Sequence, residues 1–138
     1  MPLTPGVAEA LAALRVPLGS DPATYTSRSM TSRIVEESDI ILTAQVSNVI
    51  SASTRARDVF PRAFTLPEFV TRASAAGARR GLDLPTWLHR VGEGRRSADY
   101  LRADVAEIAD PAVVADGAIE RCAAEIDLLA RQLAELWI

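Results

Sequence analysis

The sequence has no lysine, only one cysteine and one histidine, and no long apolar run. A single cysteine, Cys122, excludes an internal disulfide, which fits a cytoplasmic protein. One cysteine and one histidine are too few for the usual zinc sites, so His89 is interpreted as a surface or helix-end residue. No stretch approaches the roughly 18 apolar residues that a membrane helix requires. We therefore expect no metal, no cofactor and no membrane.

A surplus of positive charge is also missing. The 15 basic residues, all arginine, face 18 acidic ones, for a net charge of −3. This balance gives no basic surface for nucleic acid, so none is expected as a partner. The N-terminal stretch "MPLTPGVAEALAALRVPL" lacks a basic start and carries Glu9 and Arg15, so we expect that it is not a signal peptide. The length of 138 residues suits a single domain over residues 1–138.

Two short β-branched or aromatic runs predict strands. "DIILTA", residues 39–44, is typical of a strand buried on both faces, and "RAFTL", residues 62–66, predicts a second strand. Thr31 is a candidate N-cap for a short helix, "SRIVEES", and Pro67 predicts the start of another. Strands alternating with helices indicate an α/β fold with a parallel sheet of about two strands surrounded by helices.

Helices are predicted at both ends of the chain. Thr4 and Pro5 predict a helix start, and the last helix is expected over about residues 116–137. Its apolar residues alternate at steps of three and four, and a seam of this kind usually packs on a sheet, although it could form a dimer interface. The seam comprises Ile119, Cys122, Ile126, Leu129, Leu133 and Leu136.

The charged residues between the second strand and the last helix have an ordinary structural interpretation and a functional alternative. Four arginines flank a glycine-rich stretch, and we interpret them as solvated loop charges, with a phosphate-attracting rim as the alternative. They are Arg79, Arg80, Arg95 and Arg96. Trp87 and Trp137 are interpreted as anchors against apolar surface.

Four acidic residues in this region could pair as a hydrolase dyad or bind a hard cation, although their spacing matches no calcium loop. They are Asp104, Glu107, Asp110 and Asp116. Asp110 is followed by Pro111, and Asp-Pro alone is typical of a turn that precedes a helix.

Three segments, in order, resemble the low-molecular-weight protein tyrosine phosphatase family. They are "LTPGVAEALAALRV…TYTSRSMTSRIVEESDIILTA", "FPRAFTLPEF" and "EIADPAVVADGAIERCAAEIDLLARQL". The resemblance implies an α/β, phosphotyrosine phosphatase I-like three-layer fold, of which residues 1–138 correspond to the C-terminal three-quarters. It also implies that Asp110 is the general acid that protonates the leaving oxygen of a phosphomonoester. Pro111 would fix the backbone beside it.

The family's nucleophile loop is not found in the sequence. Members begin with a strand and a Cys-x5-Arg-Ser/Thr loop, whose backbone N–H groups cradle the phosphate and activate the thiol. Six places after Cys122 stands Leu128 rather than arginine, and Cys122 lies within the apolar seam of the last helix, where a buried structural thiol is expected. We therefore expect the chain to be inactive by itself, although the complete family fold hydrolyses phosphotyrosine or small phosphomonoesters.

Two explanations remain open at this point. In the first, the chain is a fragment or has a miscalled start, and the complete protein is a phosphatase. In the second, it is a non-catalytic binding or dimerisation module, as favoured by Ala112 and Val113 after Asp-Pro and by "QVSNVIS" after the first strand. A strand at residues 39–44 without its family neighbour has an open edge, which predicts a homo-oligomer or a partner that supplies a strand.

Overall fold

The computed structural model describes residues 27–102, 104–111 and 117–138. The predicted helix at Thr4 and Pro5 and the acidic candidate Asp116 lie outside these residues. The described elements, in chain order, are α1 (Ser32–Glu37), β1 (Ile41–Thr43), α2 (Val46–Ser53), a 3₁₀ turn (Phe60–Arg62), β2 (Ala63–Thr65), α3 (Leu66–Ala76), α4 (Leu84–Val91), α5 (Ser97–Leu101) and α6 (Ala118–Trp137).

The two strands form a parallel pair, which confirms the predicted mixed α/β character. Ile41 lies opposite Ala63, and Thr43 lies opposite Thr65. Parallel strands need a long connection, and here α2 is the crossover helix between them. The carboxyl ends of β1 and β2 consequently meet at one edge of the sheet, and their amino ends meet at the other.

Local sequence signals account for where the helices begin. The Thr31 side chain accepts a hydrogen bond from the Ile34 N–H at 3.2 Å, which confirms the predicted cap of α1. At α3, Thr65 is both the last residue of β2 and the N-cap, and it accepts from the Glu68 N–H at 3.3 Å. Pro67 occupies the first turn of α3, where a missing N–H loses no hydrogen bond.

The strands alternate their side chains between two apolar clusters, one on each face of the sheet. Ile41 and Ala63 belong to the cluster that α2 covers, together with Val49 and Ala52. The other face carries Phe64, Leu42 and the apolar residues of α3 and α4, which are Phe69, Ala73, Trp87, Leu88 and Val91. This two-sided burial follows from the period of two along a strand.

One prediction about the sheet is wrong. Residues 39–44 were expected to be buried on both faces, yet all three residues of β1 are only half-buried, whereas β2 is buried throughout. Pairing does not explain the difference, because within the described residues each strand has only the other as its neighbour. Helices α2 and α3 both contact β2 more extensively than they contact β1, so β1 lies at the margin of this packing.

Helix α6 is anchored at its C-terminal end. Leu133, Leu136 and Trp137 pack against the α3–α4 cluster, and the Arg79 N–H donates to the Leu136 carbonyl at 2.8 Å. Further toward the start of the helix, Ile126 is 40% exposed. The seam was expected to pack on the sheet, but its last turns pack mainly on helices α3 and α4. Among the described residues, no helix combines the length and apolarity needed to cross a membrane.

Candidate functional site

Residues 104–111 run across the carboxyl edge of the sheet and are tied to both strands. The Ile108 N–H donates to the carbonyl of Ala44, directly after β1, at 2.8 Å. The Thr65 hydroxyl, at the end of β2, donates to the Ala106 carbonyl at 2.6 Å. In parallel α/β sheets this edge is where ligands characteristically bind.

Glu107 stabilises the start of helix α2 at this edge. Its carboxylate Oε2 accepts a hydrogen bond from the Val46 N–H at 2.8 Å, at the first residue of α2. The first N–H groups of a helix have no partner within the helix. A carboxylate there accepts a hydrogen bond from one of them, and its negative charge is stabilised by the positive end of the helix dipole. Glu107 therefore serves as a cap for α2, which separates it from the proposed acidic dyad.

Asp110 lies two residues beyond the anchored Ile108 and is exposed. Ile108 is 2% exposed, so the segment is fixed immediately before Asp110. The residue that the family resemblance assigns as general acid thus follows directly after the segment that is bonded to the carboxyl edge. Within residues 27–102, 104–111 and 117–138, no group of three or more His, Cys, Asp or Glu side chains could hold a metal ion.

Cys122 lies in the first part of α6 and is half-buried rather than fully buried. Burial raises the pKa of its thiol, and the negative charges of Glu125 and Asp110 raise that pKa further. A cysteine nucleophile needs the opposite setting, because only the thiolate attacks and positive surroundings stabilise it. The arrangement places the proposed acid near the only thiol of the chain, and its negative charge disfavours the thiolate.

Arg95 corrects the interpretation of the arginines as solvated charges, because its side chain is only 3% exposed. Its Nε donates to Glu68 Oε1 at 2.7 Å, and its Nη1 donates to the Phe60 carbonyl at 2.7 Å. Its Nη2 donates to the Ala63 carbonyl at 2.5 Å and to the Tyr100 hydroxyl at 3.0 Å. All three guanidinium nitrogens are therefore engaged inside the protein.

Two phenylalanine rings and the hydroxyl of Tyr100 complete this buried network. The Arg95 guanidinium carbon lies 3.8 Å from the ring centre of Phe64 and 4.2 Å from that of Phe60. The Tyr100 hydroxyl donates to Glu68 Oε2 at 2.8 Å. Burial and this hydrogen bond raise the pKa of Tyr100 to about 12, which keeps the hydroxyl protonated as a donor. Arg95 is thus committed to the core and does not form a phosphate-binding rim.

Of the other three arginines, two fit the solvated interpretation and the third has a structural role. Arg96 is exposed beside Asp99, and Arg80 is exposed, as expected of solvated charges. Arg79 is half-buried: its Nε donates to the Leu82 carbonyl at 2.7 Å, and its guanidinium lies 5.6 Å from the Trp137 ring centre. Arg79 therefore helps to hold the end of α6, a role that no local sequence signal indicated.

A cavity of about 760 Å³ opens at the opposite, amino edge of the sheet. Residues just before each strand line it, including Asp39 before β1 and Phe60 before β2. His89 also lines it and is exposed, in agreement with the predicted surface role. Because the cavity and Asp110 lie at opposite edges of the strands, they are separate candidate sites.

Comparisons with protein-family models, with curated proteins and with solved structures found no match to this chain. The geometry at the two edges of the sheet is therefore the basis for proposing a function.

Proposed function

We propose that this chain is a low-molecular-weight protein tyrosine phosphatase-like domain that acts by binding another protein chain and does not hydrolyse phosphomonoesters by itself. One observation carries the proposal: Asp110 lies two residues beyond Ile108, which is bonded to the end of β1, while the only cysteine lies in α6 with a raised pKa. The chain therefore carries a candidate acid without a usable nucleophile.

The chemistry of the resembled family explains why that observation matters. Its phosphoryl transfer needs a thiolate to attack phosphorus, an arginine to hold the equatorial oxygens and an acid to protonate the leaving oxygen. Asp110 corresponds only to the acid. The raised pKa of Cys122 disfavours its thiolate, and Leu128 stands six places after it, where the family has an arginine. The buried Arg95 has its donors occupied by Glu68, Tyr100 and two backbone carbonyls.

The binding side of the proposal is supported by strand β1. Within the described residues its only strand partner is β2, and a strand edge of this kind is a template for another chain. Exposed apolar side chains on α6 also support binding to another chain: Leu128 is 58% exposed and Ile126 is 40% exposed. A second copy of the chain, or a partner that supplies a strand, would cover such surface.

We expect the purified chain to associate with itself. Light scattering on a sizing column should give a mass above the 14.8 kDa of one chain, and the mass should fall on dilution. Hydrogen exchange should show that protection of the amides of Ile41–Thr43 rises with protein concentration, because pairing between chains covers N–H groups. A 14.8 kDa species at every concentration, with those amides equally protected throughout, would show that the edge is covered within one chain.

A second candidate function is favoured by the position of Asp110 itself. Its place at the carboxyl edge is where a general acid of a completed phosphatase would act. If translation upstream of Met1 yields a strand and a Cys-x5-Arg-Ser loop in frame, the longer protein should hydrolyse aryl phosphates. In that protein Asp110→Asn should lower kcat by about 10²–10⁴-fold, the usual contribution of a general acid.

A further inference from the structure

The cavity at the amino edge has the size and construction of a small-molecule site. Its volume of about 760 Å³ lies within the range of roughly 300–1,000 Å³ that is typical of ligand pockets. It opens between the end of α1, the 3₁₀ turn before β2 and helix α4. Arg62 joins the 3₁₀ turn to α1, because its Nη1 donates to the carbonyls of Val35 and Ser38.

The interior of the cavity is apolar and rigidly supported. Phe60, Leu84 and Leu88 line it, and Leu88 is only 6% exposed. The Phe60 ring is held edge-to-face by Tyr100, with 5.3 Å between ring centres, and it stacks against the guanidinium of Arg95. A wall that is already fixed loses little conformational entropy when a ligand binds.

The charge at the mouth of the cavity is negative. Glu36 and Asp39 line it, both are exposed, and neither has an ion pair or side-chain hydrogen bond within the part of the chain that the structure describes. Of the two arginines that also line the cavity, Arg95 is paired with Glu68, whereas Arg62 donates to the neutral carbonyls of Val35 and Ser38 and keeps its positive charge, so two carboxylates face one guanidinium that has no carboxylate partner. A ligand in the cavity therefore meets carboxylates above an apolar wall.

We propose that this cavity binds an organic cation with an apolar body, such as a protonated arylalkylamine. The ammonium group lies at Glu36 and Asp39, and the apolar body covers Phe60, Leu84 and Leu88. The proposal is independent of the function assigned to Asp110, because the two sites occupy opposite edges of the sheet.

The test uses three probes of similar shape and different charge: 2-phenylethylamine, 2-phenylethanol and phenylacetate, each titrated into the full chain and followed by ¹H–¹⁵N NMR. We expect the amine to bind most tightly and phenylacetate most weakly, with shifts at the amides of Asp39, Phe60 and Leu88. The double variant Glu36→Gln/Asp39→Asn should weaken amine binding by about five- to tenfold, as the loss of two partly exposed ion pairs implies. Its affinity for the alcohol should not change.

Glu37→Gln is the matched control, because Glu37 neighbours Glu36 on α1 but pairs with Arg33 and does not line the cavity. This variant should bind the amine as the parent chain does. The proposal is overturned if the three probes bind equally, if no amide around the cavity shifts, or if the double variant binds the amine undiminished. A loss in Glu37→Gln equal to that in the double variant would show an effect of surface charge alone.

Discussion

Arg95→Met is expected to lower the free energy of unfolding by about 3–5 kcal/mol, the usual effect of removing one partner from a buried ion pair. The side chains of Arg95 and Glu68 are 3% and 9% exposed, so the variant leaves the Glu68 carboxylate buried without its main partner. Arg72, with its Nε 3.6 Å from Glu68 Oε1, compensates only in part. Urea unfolding followed by tryptophan fluorescence measures the loss.

Two further variants separate the charge from the packing. The double variant Glu68→Gln/Arg95→Met should recover part of the stability, because no unpaired carboxylate remains in the interior. Tyr100→Phe should cost about 1–3 kcal/mol, since it removes the hydroxyl that donates to Glu68. Arg96→Met, at the neighbouring exposed arginine, is the control and should leave the unfolding midpoint unchanged. An Arg95→Met variant as stable as the control would mean that the network contributes nothing.

Trp87→Ala is expected to cost about 3–5 kcal/mol, as large-to-small substitutions of buried aromatic residues do. Trp87 is fully buried at the centre of an aromatic row, with its ring edge-to-face against Phe69 and Trp137 at 5.5 Å in both cases. Its Nε1 also donates to the Gly77 carbonyl at 3.0 Å. The variant removes the contact that links α4 to the end of α6, and circular dichroism on heating measures the loss.

Trp87→Phe gives a graded comparison for the same position. It keeps a ring in the row but leaves the Gly77 carbonyl without its donor, so a smaller loss of about 1–3 kcal/mol is expected. Leu101→Ala, at a leucine that is 77% exposed, should change stability by less than about 0.5 kcal/mol. Equal losses in Trp87→Ala and Leu101→Ala would contradict the assignment of Trp87 to the core.

Elements whose signals are local could be predicted from the sequence. Short β-branched or aromatic runs indicated β1 and β2, and the structure pairs them in parallel. The Thr31 cap and the Pro67 helix start depend on neighbouring residues only, and both are present. The last helix was expected from the period of its apolar residues and is described from Ala118 to Trp137.

The position of Arg95 could not be predicted, because its burial depends on residues far away in the sequence. Its carboxylate partner, Glu68, is 27 residues away, and its carbonyl partner at Phe60 is 35 residues away. An arginine after a glycine-rich turn is ordinarily solvated, and nothing in the local sequence distinguishes Arg95 from the exposed Arg96. The fold creates the difference by closing two phenylalanine rings over one guanidinium.

The two candidate sites also differ in whether the sequence could reveal them. Asp110 was identified from a short motif, and the hydrogen bonds of residues 106 and 108 to the strand ends agree with a place at the carboxyl edge. Its role as an acid stays a prediction. The amino-edge cavity had no sequence signal, because Asp39, Phe60 and Leu88 lie on three separate elements that only the fold brings together.

If the chain carries a candidate acid but no working nucleophile, as proposed, it should fail to hydrolyse an aryl phosphate. With p-nitrophenyl phosphate, the purified 138-residue chain should release nitrophenol no faster than buffer, and Cys122→Ser and Asp110→Asn should give the same trace. The reason is that burial and two negative charges hold the pKa of the Cys122 thiol above its ordinary value. Saturable turnover that disappears in Cys122→Ser would show that Cys122 is a working nucleophile and would contradict the proposed function.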